Sequence, residues 1–580
     1  MLRNARAGIV RRLVPTLLFV FSLAVLGGAT CAGGSDDVRR IGAVQGPGHT
    51  SPLVDTRVTV QGVVTAVLDD GLVVQDPQGD GDEATSEALT VRAPVDGLRR
   101  GNAVRVTGTV AEETPGGRDT NLTTTTITDA RVDVLELSTA LPEPAVLGRG
   151  GRALPTAVVD DDALTSFDPD RDGIDFFESL EGMLVRIERA FAVSATSRYG
   201  ELWVLADGGM DATSRNLRGG VTLTPTDDNP ERIQLDDTLF EGSMPAAEIG
   251  DVIESVVGIV GYDYGNYDVM PLERPSVARM EAKPAVAKTP PADDDALTVA
   301  TFNILNLGGD EPYEEFEKRA RVIVHALHAP ALVALQEVQD DDGPADTGSS
   351  VATGTFRMLI EAIERVGGPR YEFAQIDPVD GADGGQPGGN IRNGFLYDPT
   401  RITLVEREGE SPMRLAPDHE AFRRSRVPLV ATFEWKGRPL VVVNVHLSSK
   451  GGSTPLFGSV RPPVNGSLDR RVVQAGVVRD HVTAVRASDP RTRVIVLGDF
   501  NEFAWNEPLQ RLTADGLLDN LILELPEAER ATYVYQGNAQ ALDHVLVSDG
   551  FASAEVEVVH ANTARRDAAS DHDPVLVRLR

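Results

Sequence analysis

Two regimes of hydrophobic patterning divide the chain. Up to about residue 275, apolar residues come in short runs that alternate or stay apolar between turn signals, as in Val58–Val67, Gly71–Asp76, Ala88–Arg92 and Ala103–Val110. Such spacing predicts a small all-β barrel or sandwich. A second β-rich block contains Leu180–Ile187, Gly200–Leu205 and Gly250–Gly261. Two β modules are therefore expected, over residues 40–140 and 150–275. Alanine, proline and charge replace the alternation over 276–296, which reads as an interdomain linker.

After residue 297 the pattern becomes strands interleaved with helices. Leu297–Phe302, Ala331–Leu335, Leu440–Leu447, Arg493–Gly498, Leu542–Val547 and Pro574–Leu579 read as strands, and Phe316–Leu327 and Arg471–Arg486 have helical spacing. A layered α/β domain over 297–580 follows. The first residues carry a different pattern. Basic residues up to Arg12 precede a mostly apolar stretch from Leu13 to Leu26 and then small residues, the order of an export signal over residues 1–32. Cys31, the only cysteine, is placed as in a lipobox, with ordinary cleavage near Ala29 or Ala32 as the other reading. A secreted or periplasmic protein is expected, or one held at the cell surface by lipid. Intrachain disulfides are excluded.

The chain of 580 residues is 41% hydrophobic and 25% charged, which is ordinary globular composition. Its net charge of -33 argues against a protein that coats nucleic acid non-specifically. Residues 401–500, with 10 acids and 16 bases, are the one stretch suited to meeting a polyanion.

Candidate chemistry gathers at strand ends. Asn303 follows Phe302, and Glu337 follows Leu335 and Gln336. Asn444 and His446 interrupt an apolar run, while Asp499 and Asn501 end another. Asp543 and His544 open a strand, and Asp571 and His572 precede the last. Strand ends can meet on one edge of a layered sheet. Carboxylate and amide oxygens are hard ligands suited to Mg²⁺, Mn²⁺ or Ca²⁺, and such a cation assists phosphodiester hydrolysis by neutralising charge on the phosphoryl oxygens. An imidazole beside an aspartate supplies proton transfer.

In order, Thr301–Asn303, Gln336–Glu337, Ile391–Tyr397, Asn444–His446, Gly498–Asn501, Leu542–His544 and Ser570–His572 resemble the signatures of the endonuclease/exonuclease/phosphatase superfamily. The resemblance implies a four-layer αββα sandwich. It implies that Asn303, Glu337, Asp499 and Asp571 hold a divalent cation, Mg²⁺ ahead of Mn²⁺ or Ca²⁺. It further implies that His572 with Asp543 performs acid/base work, that Asp499 and Asn501 orient water and phosphate, and that His446 donates to phosphate or leaving group. Arg392 and Asn444 would contact phosphate. The segment from His446 to Gly458 and the front blocks are similar to large secreted bacterial nucleases with an OB-fold-like module. A secreted metal-dependent nuclease acting on extracellular DNA, or RNA too, is the leading expectation. The alternative keeps the chemistry and exchanges the substrate for a phospholipid head group or small phosphate ester. A third reading, non-catalytic binding by the β modules, fits poorly with their acidity.

One motif stands outside this scheme. Asp168–Gly173 opens like a calcium loop, although Ser179 stands where such a loop has glutamate and no flanking helices are expected, so a solvated turn is the main reading.

Overall fold

The computed structural model describes residues 37–279 and 295–580. The export signal with Cys31 and most of the expected linker lie outside the described residues.

The first β module is built on five strands, Arg57–Val67, Gly71–Gln75, Ala88–Arg92, Ala103–Glu113 and Thr124–Glu136. They pair in the order first, second, third, fifth, fourth, and the fourth returns to the first, so the sheet closes. Only the third and fifth run parallel. Alternation works as expected: Val58, Val60, Val64, Val104 and Val106 point into one buried cluster. The strand Thr124–Glu136, absent from the sequence expectation, is threonine- and charge-rich and half exposed.

The second module repeats this plan. Leu184–Ala192, Leu202–Leu205, Ile233–Leu235, Val252–Asp263 and Asn266–Pro271 close in the same pairing order, again with only the third and fifth parallel. The expected strand at Leu180 begins instead at Leu184, because the chain turns at Gly182, where φ is +70°. Ala66, Val73 and Ala88 of the first barrel pack against Leu184 and Ile259 of the second.

Two sheets form the centre of the C-terminal half. One runs Glu372–Ala374, Arg392–Tyr397, Leu332–Val338, Leu297–Leu307, Val575–Leu579, Ala554–Val558. The other runs Thr403–Leu404, Leu429–Trp435, Arg438–His446, Arg493–Asp499, Asp543–Val547, Asp519–Asn520. Both faces of each are buried, which is why the central strands read as continuous apolar runs. Leu297, Val299, Val442, Ile495 and Leu497 fill the space between the sheets. Ala300 and Phe302 turn outward to meet the helices Tyr313–Arg321 and Thr353–Arg365. Val441, Val443, Val494 and Val496 turn the other way, toward Leu468–Ser488 and Glu507–Thr513. Helix, sheet, sheet and helix thus lie in four layers.

The two halves share structure. Val221–Thr222 of the second module pairs with Asn538–Gln540, which pairs with Tyr533–Tyr535, making a small sheet across the boundary. Phe457, from the segment after His446, is buried in the second barrel's core beside Phe177 and Tyr267, each 6.1 Å away between ring centroids. Tyr262 donates its hydroxyl proton to the Phe457 carbonyl at 2.9 Å.

Candidate active site

Backbone irregularities at the strand ends aim the polar side chains. Strand Leu297–Leu307 shifts register after Asn303, and Leu332–Val338 shifts after Leu335, which places Glu337 in a bulge with φ of +62°. Bulges and left-handed non-glycine residues of this kind redirect side chains and collect at functional sites. Asn501 is also left-handed, at +50°. Gly498 allows its strand to lie close to Arg438–His446: a Cβ there would stand 1.9 Å from the Val445 carbonyl. The result sets His446 directly opposite Asp499.

The side chains then converge. The Asn303 amide donates to Glu337 at 3.1 Å and to Asp499 at 3.2 Å. His446 Nε2 stands 3.5 Å from Asp499 and 3.8 Å from Glu337. His572 Nδ1 is 2.7 Å from Asp543 Oδ2, and its Nε2 faces Asp499 at 3.9 Å. The Asn501 backbone amide donates to Asp499 at 2.7 Å, and the ring of Tyr533 lies over His572 with centroids 4.8 Å apart. Ser570 donates to the Asn303 carbonyl, tying the last loop to the first strand. Asp571 is exposed at the rim of the same cleft.

Electrostatics separates the roles of these groups. Burial pushes the Asp499 carboxyl up to about 7, with Asp543 and Glu337 adding to the rise and His572 opposing it. Burial alone would lower His572, but Asp543 and Asp499 beside it carry it well above the usual imidazole range. Burial, with Arg426 and His572 nearby, holds His446 well below that range, so it is neutral. An imidazolium and a neutral imidazole thus flank one carboxyl whose protonation changes near neutrality.

The donor set suits a hard divalent cation. Asn303, Glu337 and Asp499 offer oxygens only, and a buried carboxyl forced up to about 7 signals negative charge short of a counter-ion. Asp499, Asp543 and His572 also bring ligand atoms within 4.8 Å of one another, a grouping able to hold a metal ion. The short Nδ1 contact of His572 is that of a hydrogen bond to Asp543, which leaves Glu337, Asn303 and the outer oxygen of Asp499 as the better seat.

Two expected residues are turned away from the cleft. The guanidinium of Arg392 is occupied by Asp377 and by the carbonyls of Ser350 and Asn390. Asn444 crosses between the sheets, accepting from Gln336 at 2.7 Å and donating to the Leu335 and Gly394 carbonyls. The arginine that lines the cleft is Arg426: its NH2 group donates to the Leu447 carbonyl, and its buried Nε has no partner. It sits within an arginine-rich stretch, and only burial singles it out. Lys450, held on Glu502 at 2.9 Å, and the stacked pair Phe503 and Trp505 also line the cleft.

The cleft, about 930 Å³, is composite. Arg118 and Thr120 come from the first module, and Pro225, Arg232 and Tyr264 from the second. The second module also braces the catalytic loop: Arg218 makes a 3.0 Å ion pair with Asp573, the residue after His572, and both are almost fully buried.

The model of the Endonuclease/Exonuclease/phosphatase family matches residues 300–572. A domain family of unknown function matches residues 146–281. No curated protein matches the chain. Among solved structures, truncated Caenorhabditis elegans TDP2 is 16% identical, with 49% of this chain and 98% of that one covered and a TM-score of 0.35. The human Nocturnin catalytic domain is 17% identical over 49% and 94%, at 0.34. A Bacteroides thetaiotaomicron endonuclease/exonuclease/phosphatase family protein is 18% identical over 49% and 94%, at 0.35.

Proposed function

From the premise that residues 300–572 belong to the endonuclease/exonuclease/phosphatase family, we propose that the protein is an exported, divalent-cation-dependent nuclease that hydrolyses phosphodiester bonds of DNA, and of RNA too. The observation that carries the reading is the meeting of Asn303, Glu337, His446, Asp499 and the His572–Asp543 pair, from separate strands and loops, around one cleft. Export rests on the sequence of residues 1–32.

In this reading Asp499, poised near neutrality and fixed by the Asn501 amide, takes the proton of the attacking water. The new P–O bond forms as the bond to the leaving oxygen breaks. His572, held protonated by Asp543, donates to a phosphoryl oxygen, and neutral His446 offers a second hydrogen bond. Arg426, with a free buried Nε at the cleft, takes the phosphate contact expected of Arg392. A divalent cation on Glu337, Asn303 and Asp499, Mg²⁺ first, would neutralise charge developing on the phosphate. Asp571 at the rim would complete its ligands.

A nucleic acid rather than a lipid or small ester suits the length of the composite cleft. Tyr264, Tyr535 and Trp505 offer faces for bases, while Arg118, Arg232 and Lys450 offer charge for the backbone. We read both barrels as OB-fold-like on their pairing order. Their place here is to extend the cleft.

The test is to incubate the mature chain with supercoiled DNA, RNA and sphingomyelin, each with Mg²⁺, Mn²⁺, Ca²⁺ or chelator. Cation-dependent nicking that falls at least about 100-fold in His572→Ala and Glu337→Gln is expected. Hydrolysis of sphingomyelin with intact nucleic acid would transfer the protein to the lipid reading.

A further inference from the structure

The segment singled out in the sequence as a turn is organised around buried charge. Asp160, Asp162 and Asp172 each bring a carboxylate oxygen within 4.8 Å of the others. Asp172 is 4% exposed and stands at the start of the helix Gly173–Glu178, yet its side chain makes no capping bond. Asp175, 1% exposed on that helix, has one oxygen accepting from the Asp168 amide and the other without a hydrogen-bond partner. His49 Nε2 lies 3.3 Å from that second oxygen, and neither of its ring nitrogens is hydrogen-bonded.

The positive charge at hand is too small for this group. Arg461 donates to Asp160 Oδ2 at 2.9 Å and to the Asp160 carbonyl at 3.1 Å, which answers one carboxylate. The oxygens of Asp160 and Asp162 also accept from backbone amides of residues 163–166, which fix the loop but bring no net charge. Asp162, Asp172 and Asp175 are left with no cation. Several carboxylates buried together without one repel each other at considerable cost.

We propose that Asp160, Asp162 and Asp172, with Asp175 behind them, form a calcium site separate from the catalytic cleft. The donors are all carboxylate oxygens, and their burial favours an ion that sheds water readily, which is Ca²⁺ over Mg²⁺. Its position gives it a task. Arg461 belongs to the same segment as Phe457, which is buried in the second barrel, and as Ser453, Thr454 and Pro463, which line the cleft. Calcium bound at Asp160 would lock the loop that Arg461 grips, and with it one wall of the cleft.

The experiment uses the full mature chain carrying Glu337→Gln and Asp499→Asn, so that the cleft loses its own cation ligands. After chelation, Ca²⁺ is titrated by calorimetry and by thermal melting. One bound Ca²⁺ and a melting temperature raised by several degrees are expected, both lost on adding Asp162→Asn and Asp172→Asn. Asp172 is buried, so Asp162→Asn alone, in a part-exposed loop, is the second variant, with Ca²⁺ affinity falling roughly tenfold or more as a charged ligand is lost. A melting temperature indifferent to Ca²⁺, or binding unchanged in Asp162→Asn, would overturn the site. Since turnover is not measured, the result stands apart from the nuclease reading.

Discussion

At position 498 only a hydrogen fits. The backbone φ of +140° and the Val445 carbonyl, 1.9 Å from where a Cβ would be, leave no room for any other residue. Gly498→Ala must therefore push apart the strands that hold His446 and Asp499, and a loss of at least about 3 kcal/mol is expected by denaturant melting, with activity falling alongside. That glycine also explains why the segment ending at Asn501 was legible in the sequence: a backbone requirement and a chemical one fall on neighbouring residues. His572 and Asp543 were legible as an imidazole and a carboxylate at the edges of two strands. Arg392 and Asn444 were not, because a polar residue within a motif looks the same whether it faces a substrate or an inner hydrogen-bond network. Arg426 lay hidden among Arg423 and Arg424, and Asp573 beside His572 gave no sign that its partner is Arg218, 355 positions away.

Among elements, the segment following His446 links the most parts of the molecule. It carries Lys450 at the cleft, Phe457 in the barrel core and Arg461 on Asp160. Phe457→Ala removes an aromatic ring from a buried cluster, a change worth about 3–5 kcal/mol in cores. The expected outcome is a lower melting temperature together with a raised KM for DNA, since the same segment shapes the cleft; steady-state kinetics beside a thermal melt checks it. At this scale the sequence was most readable where burial is two-sided, as in Val441–Val445 and Val494–Leu497, whose runs admit no other reading than central strands. It was least readable for Thr124–Glu136. There half the residues face water, and pairing with Ala103–Glu113 rather than composition makes the strand.

For the molecule as a whole, the β modules carry buried acids that couple stability to pH. Burial pushes Glu231 and Glu178 each up to about 8. Folded-state values above the unfolded range of about 4.5 mean that the folded chain holds protons the unfolded chain releases. The corresponding stability is fully present below about pH 4.5 and is lost as pH rises through about 8. Each such group contributes a slope of about 1.4 kcal/mol per pH unit within that window. Glu231, with one oxygen unpartnered, is the cleaner test: Glu231→Gln should flatten the decline between pH 5.5 and 8 in urea melts, and an unchanged slope would refute the assignment. The mutual repulsion of a chain at -33 acts in the same direction. The small sheet of Val221–Thr222, Asn538–Gln540 and Tyr533–Tyr535 bears on how the enzyme meets proteases outside a cell. A cut within residues 280–294 severs the polypeptide but neither this sheet nor the buried grip of Phe457 and Arg218, so the two fragments would travel together as one nicked, working particle.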